Sequence, residues 1–150
     1  LFHHVPVLDT GARGATTTFV QRNIGDVLLA WENEAFLALD ELQPGQFEIV
    51  VPSISIKAEP PVALVDKNAE KHGTTEVSRA YLEYLYSDVG QQIAAKNYYR
   101  PSKPEVVSDE AKKRFPNLKL ATVEDFGGWK EVQPKFFGDD GIFDQLYKPK

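Results

Sequence analysis

Near its start the chain reads Val5-Pro-Val-Leu-Asp-Thr-Gly-Ala-Arg-Gly-Ala-Thr-Thr-Thr-Phe19: a short apolar stretch, a Gly-x-x-Gly turn, then small hydroxyl residues. That order predicts a strand over residues 1–9, a tight turn, and a helix over residues 16–22 with Thr or Ala near its cap. A helix start of this kind leaves backbone N–H groups without partners and carries the positive end of the helix dipole. It is an anion site that needs no cationic side chain. Further on, Leu28-Leu-Ala-Trp-Glu-Asn-Glu34 adds another donor, because the indole N–H of Trp31 can only donate. Donors converging on one place suit a small anion that carries no proton.

Other segments predict strands alternating with helices. Residues 27–31, 47–51 and 61–65 are short, continuous apolar runs, the pattern of strands buried on both faces. Residues 118–122 read as one more strand, and the Pro-bounded segment 52–60 as an extended connector. Helices are expected over residues 33–39 with Asn33 as cap, 74–86, 87–97 with Ser87 as cap, within 103–115, and over 129–137 with a break at Pro134. The alternation predicts an α/β fold with mostly parallel sheets flanked by helices. At 150 residues the chain is long enough for one domain with a real core.

Charge and composition exclude several classes. Seventeen basic against 22 acidic residues give a net charge of −5, which argues against a nucleic-acid partner. No apolar run approaches the roughly 20 residues of a membrane-spanning helix. With no cysteine, neither a disulfide nor a thiolate metal site can form within the chain. Methionine is also absent, residue 1 is Leu, and no signal peptide is visible, so the sequence reads as a piece of a longer polypeptide.

Five segments in this order carry a resemblance: Asp9-Thr-Gly-Ala-Arg-Gly-Ala-Thr-Thr-Thr-Phe19, Gly25-Asp-Val-Leu-Leu-Ala-Trp-Glu-Asn-Glu34, Phe47-Glu-Ile-Val-Val-Pro-Ser53, Ala94-Ala-Lys-Asn-Tyr-Tyr-Arg-Pro101 and Phe126-Gly-Gly-Trp129. Together they closely resemble the periplasmic sulfate-binding proteins, the receptors of bacterial sulfate/thiosulfate ABC importers, over the C-terminal half of such a receptor. The resemblance implies a periplasmic-binding-protein-like (type II) fold of two α/β lobes with the anion in the cleft between them. Residues 1–45 would belong to the anion-binding second lobe and residues 46–65 would be strands and inter-lobe connector. Residues 66–150 would be a C-terminal portion packed on the lobes. It further implies periplasmic location, a membrane permease as partner, no cofactor, and dependence on an N-terminal half.

In that family the anion is held without counter-charge. The resemblance assigns ligand contacts here to the backbone N–H of Ala12 and the indole N–H of Trp31. Gly11, Arg13 and Gly14 form the supporting turn, with Arg13 ordering the loop and pairing with a carboxylate or carbonyls. The remaining family ligands include a Ser-Gly-Gly turn, which this chain lacks. Glu32 is the one acceptor close to the site, and on a strand it would face away from Trp31.

Other features have plainer readings. Adjacent His3 and His4 on a strand would point to opposite faces and chelate poorly. Gly138-Asp-Asp-Gly141 reads as a turn and not a calcium loop. Tyr81, Tyr84, Tyr86, Tyr98 and Tyr99 are expected to pack under the C-terminal helices. Ser53 and Ser55 have no histidine base in the pattern, and no P-loop lysine follows the Gly-rich turn, so catalysis finds no support. Two other functions fit an anion-binding α/β chain: the effector domain of a transcription regulator, or an enzyme gripping a phosphorylated or sulfated substrate at the Gly11 and Gly14 turn.

Overall fold

The computed structural model describes residues 1–146. Helix α1 spans Ala12–Arg22 and starts four residues before Thr16. Its N-cap is Gly11, in extended conformation (φ −158°, ψ 154°), not a hydroxyl residue. Thr16 instead sits inside the helix, where its Oγ1 donates back to the Ala12 carbonyl at 3.1 Å. Such a bond satisfies a buried hydroxyl within its own helix. Asn23 ends α1 in the left-handed region (φ 53°), a conformation Asn tolerates better than most residues.

Helix α2, Glu32–Leu37, begins at Trp31 as N-cap and widens into a π turn over Ala38–Leu42. The helices that follow are α3 (Asp66–His72), α4 (Thr75–Tyr84) and α5 (Asp88–Lys96). Ser87 caps α5 as expected, its Oγ accepting from the Gly90 N–H at 3.0 Å. After a 3-10 turn at Pro104–Val106, helix α6 (Asp109–Arg114) is capped by Ser108 and stops short of Pro116. Gly127 and Gly128 turn the chain at φ 98° and 79°, values that favour glycine. Helix α7 (Trp129–Val132) then passes at Pro134 into a π turn over Gln133–Phe137, and α8 covers Ile142–Leu146. Among the described residues no helix is long and apolar enough to cross a membrane.

The sheet is smaller than the sequence predicts. Strand β1 (Ser55–Ile56) pairs in parallel with β2 (Leu120–Ala121), with Ser55 opposite Leu120 and Ile56 opposite Ala121. Strand β2 lies in the expected segment, whereas β1 lies in the segment read as a connector. Residues 1–9 contain a 3-10 turn at Phe2–His4 in place of a strand. Residues 27–31, 47–51 and 61–65 take no part in a ladder among the described residues. A strand exists only through its partner, and these segments have none here. They are not buried on both faces either: Val27 is 79% exposed and Val50 83%.

The core is correspondingly thin. Val20, Ala38, Ala69, Ala95, Val107 and Val132 are the buried apolar residues among those described. The accessible surface is 11851 Å², against about 7,600 Å² for a compact monomer of 16.8 kDa. A core of the size the length allows is therefore not formed among the described residues. Helices joined to a small parallel sheet place the chain in the α/β class.

Candidate anion-binding site

Helix α1 directs the N–H groups of Ala12, Arg13 and Gly14 out of its N-terminal turn; the first intrahelical bond there is Ala15 N–H to the Gly11 carbonyl, 3.0 Å. No side chain caps this end. A Cβ at Gly11 would meet nothing within 4 Å, so the approach to the turn is open. At Gly14 a Cβ would touch the Asp9 carboxylate at an ordinary 3.6 Å. Among the described residues no contact closer than ordinary van der Waals distance surrounds either glycine.

Trp31 is not a strand end but the N-cap of α2, and its side chain is exposed. Glu34 N–H and Ala35 N–H both donate to its carbonyl at 3.1 Å. The indole is thus carried on a helix start, like Ala12, and the two helix starts are joined by an ion pair. Arg13 Nε donates to Glu34 Oε2 at 2.9 Å and to Oε1 at 3.1 Å, and Arg13 Nη2 donates to Oε1 at 3.0 Å. Glu34 is only 4% exposed, and Asn33 Nδ2 adds a longer contact at 3.4 Å. The Arg13 hydrogen bond holds the Glu34 carboxyl below the usual carboxylate range, against the opposing effect of burial. The same bond raises the guanidinium above its own ordinary value. Arg13 therefore does pair with a carboxylate, and the loop it orders is the junction of α1 and α2.

Glu32 is occupied differently from expectation. It starts a helix and does not continue a strand, and both its oxygens accept from Arg100: Nε to Oε2 at 3.0 Å and Nη2 to Oε1 at 2.7 Å. Neither Glu34 nor Arg100 stands out in the sequence as part of a site. Their partners lie 21 and 68 residues away.

The remaining candidates stay apart from this junction. His3 and His4 are exposed and lie in the 3-10 turn at Phe2–His4, so the alternating-face argument does not apply to them. No group of three or more potential metal ligands occurs among the described residues. Asp140 N–H donates to Asp144 Oδ2 at 3.2 Å, which makes Gly138 to Gly141 part of the entry to α8. The tyrosines do not pack as expected: Tyr81, Tyr84, Tyr86 and Tyr99 are exposed. Tyr98 donates its hydroxyl to Glu41 Oε1 at 2.8 Å, which together with burial pushes its phenol up to about 12.

The family model for bacterial extracellular solute-binding protein matches residues 2–100, a span that includes α1, α2 and Arg100. The chain belongs to this family. Within it, the chain is 59% identical to a sulfate-binding protein of Escherichia coli over 149 residues, covering 99% of this chain and 45% of that protein. It is 55% identical to a thiosulfate-binding protein of Pseudomonas aeruginosa over 150 residues, again 99% of this chain and 45% of that protein. A thiosulfate-binding protein of Escherichia coli is 46% identical over 144 residues, with 95% of this chain and 42% of that protein covered. The chain thus spans less than half the length of these relatives.

Proposed function

We propose that the chain is the C-terminal portion of a periplasmic receptor that captures sulfate or thiosulfate and delivers it to the permease of an ABC importer. The observation that carries this reading is the 59% identity to a sulfate-binding protein across 99% of the chain. Receptor relatives favour neither a regulator nor an enzyme, and the protein is read as a non-catalytic binder. In this reading residues 1–45 belong to the second of two lobes, residues 46–65 connect the lobes, and residues 66–150 pack on them. The missing N-terminal half supplies the sheet partners of the bare apolar segments and the remaining anion ligands. The large open surface of the chain supports that role for it.

The ligand contacts proposed are the Ala12 N–H and the Trp31 indole N–H, with Gly11, Arg13 and Gly14 shaping the turn. Sulfate is fully ionised at neutral pH and offers only acceptors, so a cradle of donors satisfies it. Hydrogen phosphate brings a proton that requires an acceptor. Facing donors in a dry site, that hydroxyl is a buried unsatisfied group costing about 1–3 kcal/mol. Closure of the lobes would exclude water and strengthen each donor contact.

Isothermal titration of the complete receptor with sulfate, thiosulfate and hydrogen phosphate tests the reading. Tight binding of one of the first two, with phosphate weaker by tenfold or more, is the expected result, from the penalty of about 1–3 kcal/mol. Equal affinity for phosphate would defeat the donor-only account, and no binding of any of the three would defeat the receptor assignment.

A further inference from the structure

Trp31 is followed immediately by a carboxylate, and a site built from donors has no place for a free acceptor beside its indole. Glu32 is not free. Arg100 grips both its oxygens in a two-pronged fork at 2.7 and 3.0 Å. Arg100 is itself fixed from two more sides: its Nη2 also donates to the Pro116 carbonyl at 3.1 Å, and its guanidinium lies 5.3 Å from the centre of the Phe115 ring. The segment that delivers it, Asn97-Tyr-Tyr-Arg-Pro101, holds the same helical stretch again at its far end through Tyr98 and Glu41.

We infer that Arg100 is a specificity-determining residue of the proposed anion site, which engages the Glu32 carboxylate so that the neighbourhood of Trp31 presents donors alone. This rests on the sulfate-receptor reading above. Without Arg100, Glu32 has two effects. Its uncompensated charge repels a dianion, and its oxygens become available to the hydroxyl of hydrogen phosphate. Arg100 therefore acts through Glu32 and not by touching the ligand. A residue that merely braced α2 would behave differently, because loosening Trp31 weakens every tetrahedral anion alike.

The test is titration of the complete receptor with sulfate and with hydrogen phosphate at neutral pH, for wild type, Arg100→Gln and the double variant Arg100→Gln, Glu32→Gln. Arg100→Gln is expected to weaken sulfate about tenfold, the scale of an uncompensated charge near a dianion in a partly screened site. The ratio of sulfate to phosphate affinity narrows with it, and the double variant regains most of the sulfate affinity. An equal loss for both anions, or a double variant as weak as Arg100→Gln, overturns the inference and leaves Arg100 a brace. If Arg100→Gln does not fold, Arg100→Lys keeps a charge but loses the fork and frees one Glu32 oxygen; a narrowed anion ratio supports the inference and an unchanged ratio overturns it. Wild-type receptor that ignores sulfate would instead overturn the underlying reading.

Discussion

The Glu34 carboxylate and the Arg13 guanidinium meet across 21 residues of sequence, and their contact is what places the start of α1 against the start of α2. Glu34→Gln keeps the shape but removes the charge that Arg13 needs. In the complete receptor, denaturant unfolding should register a loss of about 1–2 kcal/mol, toward the low end for a charge-assisted bond because Arg13 itself is mostly in water. Sulfate affinity should fall as well, since the two proposed donors ride on the two helix starts. Arg13→Ala should act in the same direction, through the loosened turn.

The same pair makes a pH prediction. The Glu34 carboxyl is held below its ordinary value of 4.5 in the folded protein. Its contribution is therefore complete above about pH 4.5 and disappears as the pH falls through the lower folded value. The stability gap between wild type and Glu34→Gln, measured by denaturation from pH 7 downward, should stay constant to about 4.5 and then close. A gap that begins to close well above pH 4.5 would mean the pair is not the source.

Trp31→Phe retains a ring and deletes one donor. Beside a charged ligand that costs about 1.5–3 kcal/mol of affinity, roughly tenfold to a hundredfold by calorimetry. An unchanged dissociation constant would remove the indole from the site.

Tyr98 should give a late step in ultraviolet titration. Its hydrogen bond to Glu41 and its burial raise the phenol to about 12, so one tyrosine should ionise that late while the protein stays folded. A raised folded value stabilises below the ordinary value of 10.0, and the benefit is lost as the pH climbs toward 12. Tyr98→Phe should abolish the late step.

Gln91 is buried and uses both ends of its amide: it donates to the Leu85 carbonyl at 2.8 Å and accepts from Ser102 N–H at 2.6 Å and Lys103 N–H at 3.3 Å. It joins the residues before and after α5. Gln91→Leu leaves those backbone groups without their partner, and should destabilise by about 2–3 kcal/mol in equilibrium unfolding.

What was legible in the sequence follows a physical line. Helices are local, and their punctuation was readable: Ser87 before α5, Pro116 beyond α6, Pro134 at the π turn of α7. Strands depend on partners elsewhere, so the apolar runs at 27–31, 47–51 and 61–65 were legible as apolar but form no ladder among the described residues. Trp31 shows the consequence. Had the strand expected over residues 27–31 run on, Glu32 and Glu34 would share one face. Read as a helix start, residues two apart diverge by about 200°, which lets Glu32 reach Arg100 while Glu34 reaches Arg13. That Arg13 would find a carboxylate was foreseeable from its place in the turn. Which carboxylate, and that Arg100 would occupy the neighbouring one, required the tertiary contacts.

The pairing of Ser55 with Leu120 also sets a timetable for synthesis. At ribosomal rates of about 5–20 residues per second, the first strand emerges about 3–13 s before the second exists to receive it. During that wait the backbone of Ser55 and Ile56 is an unpaired edge in the nascent polypeptide, open to pairing with another chain.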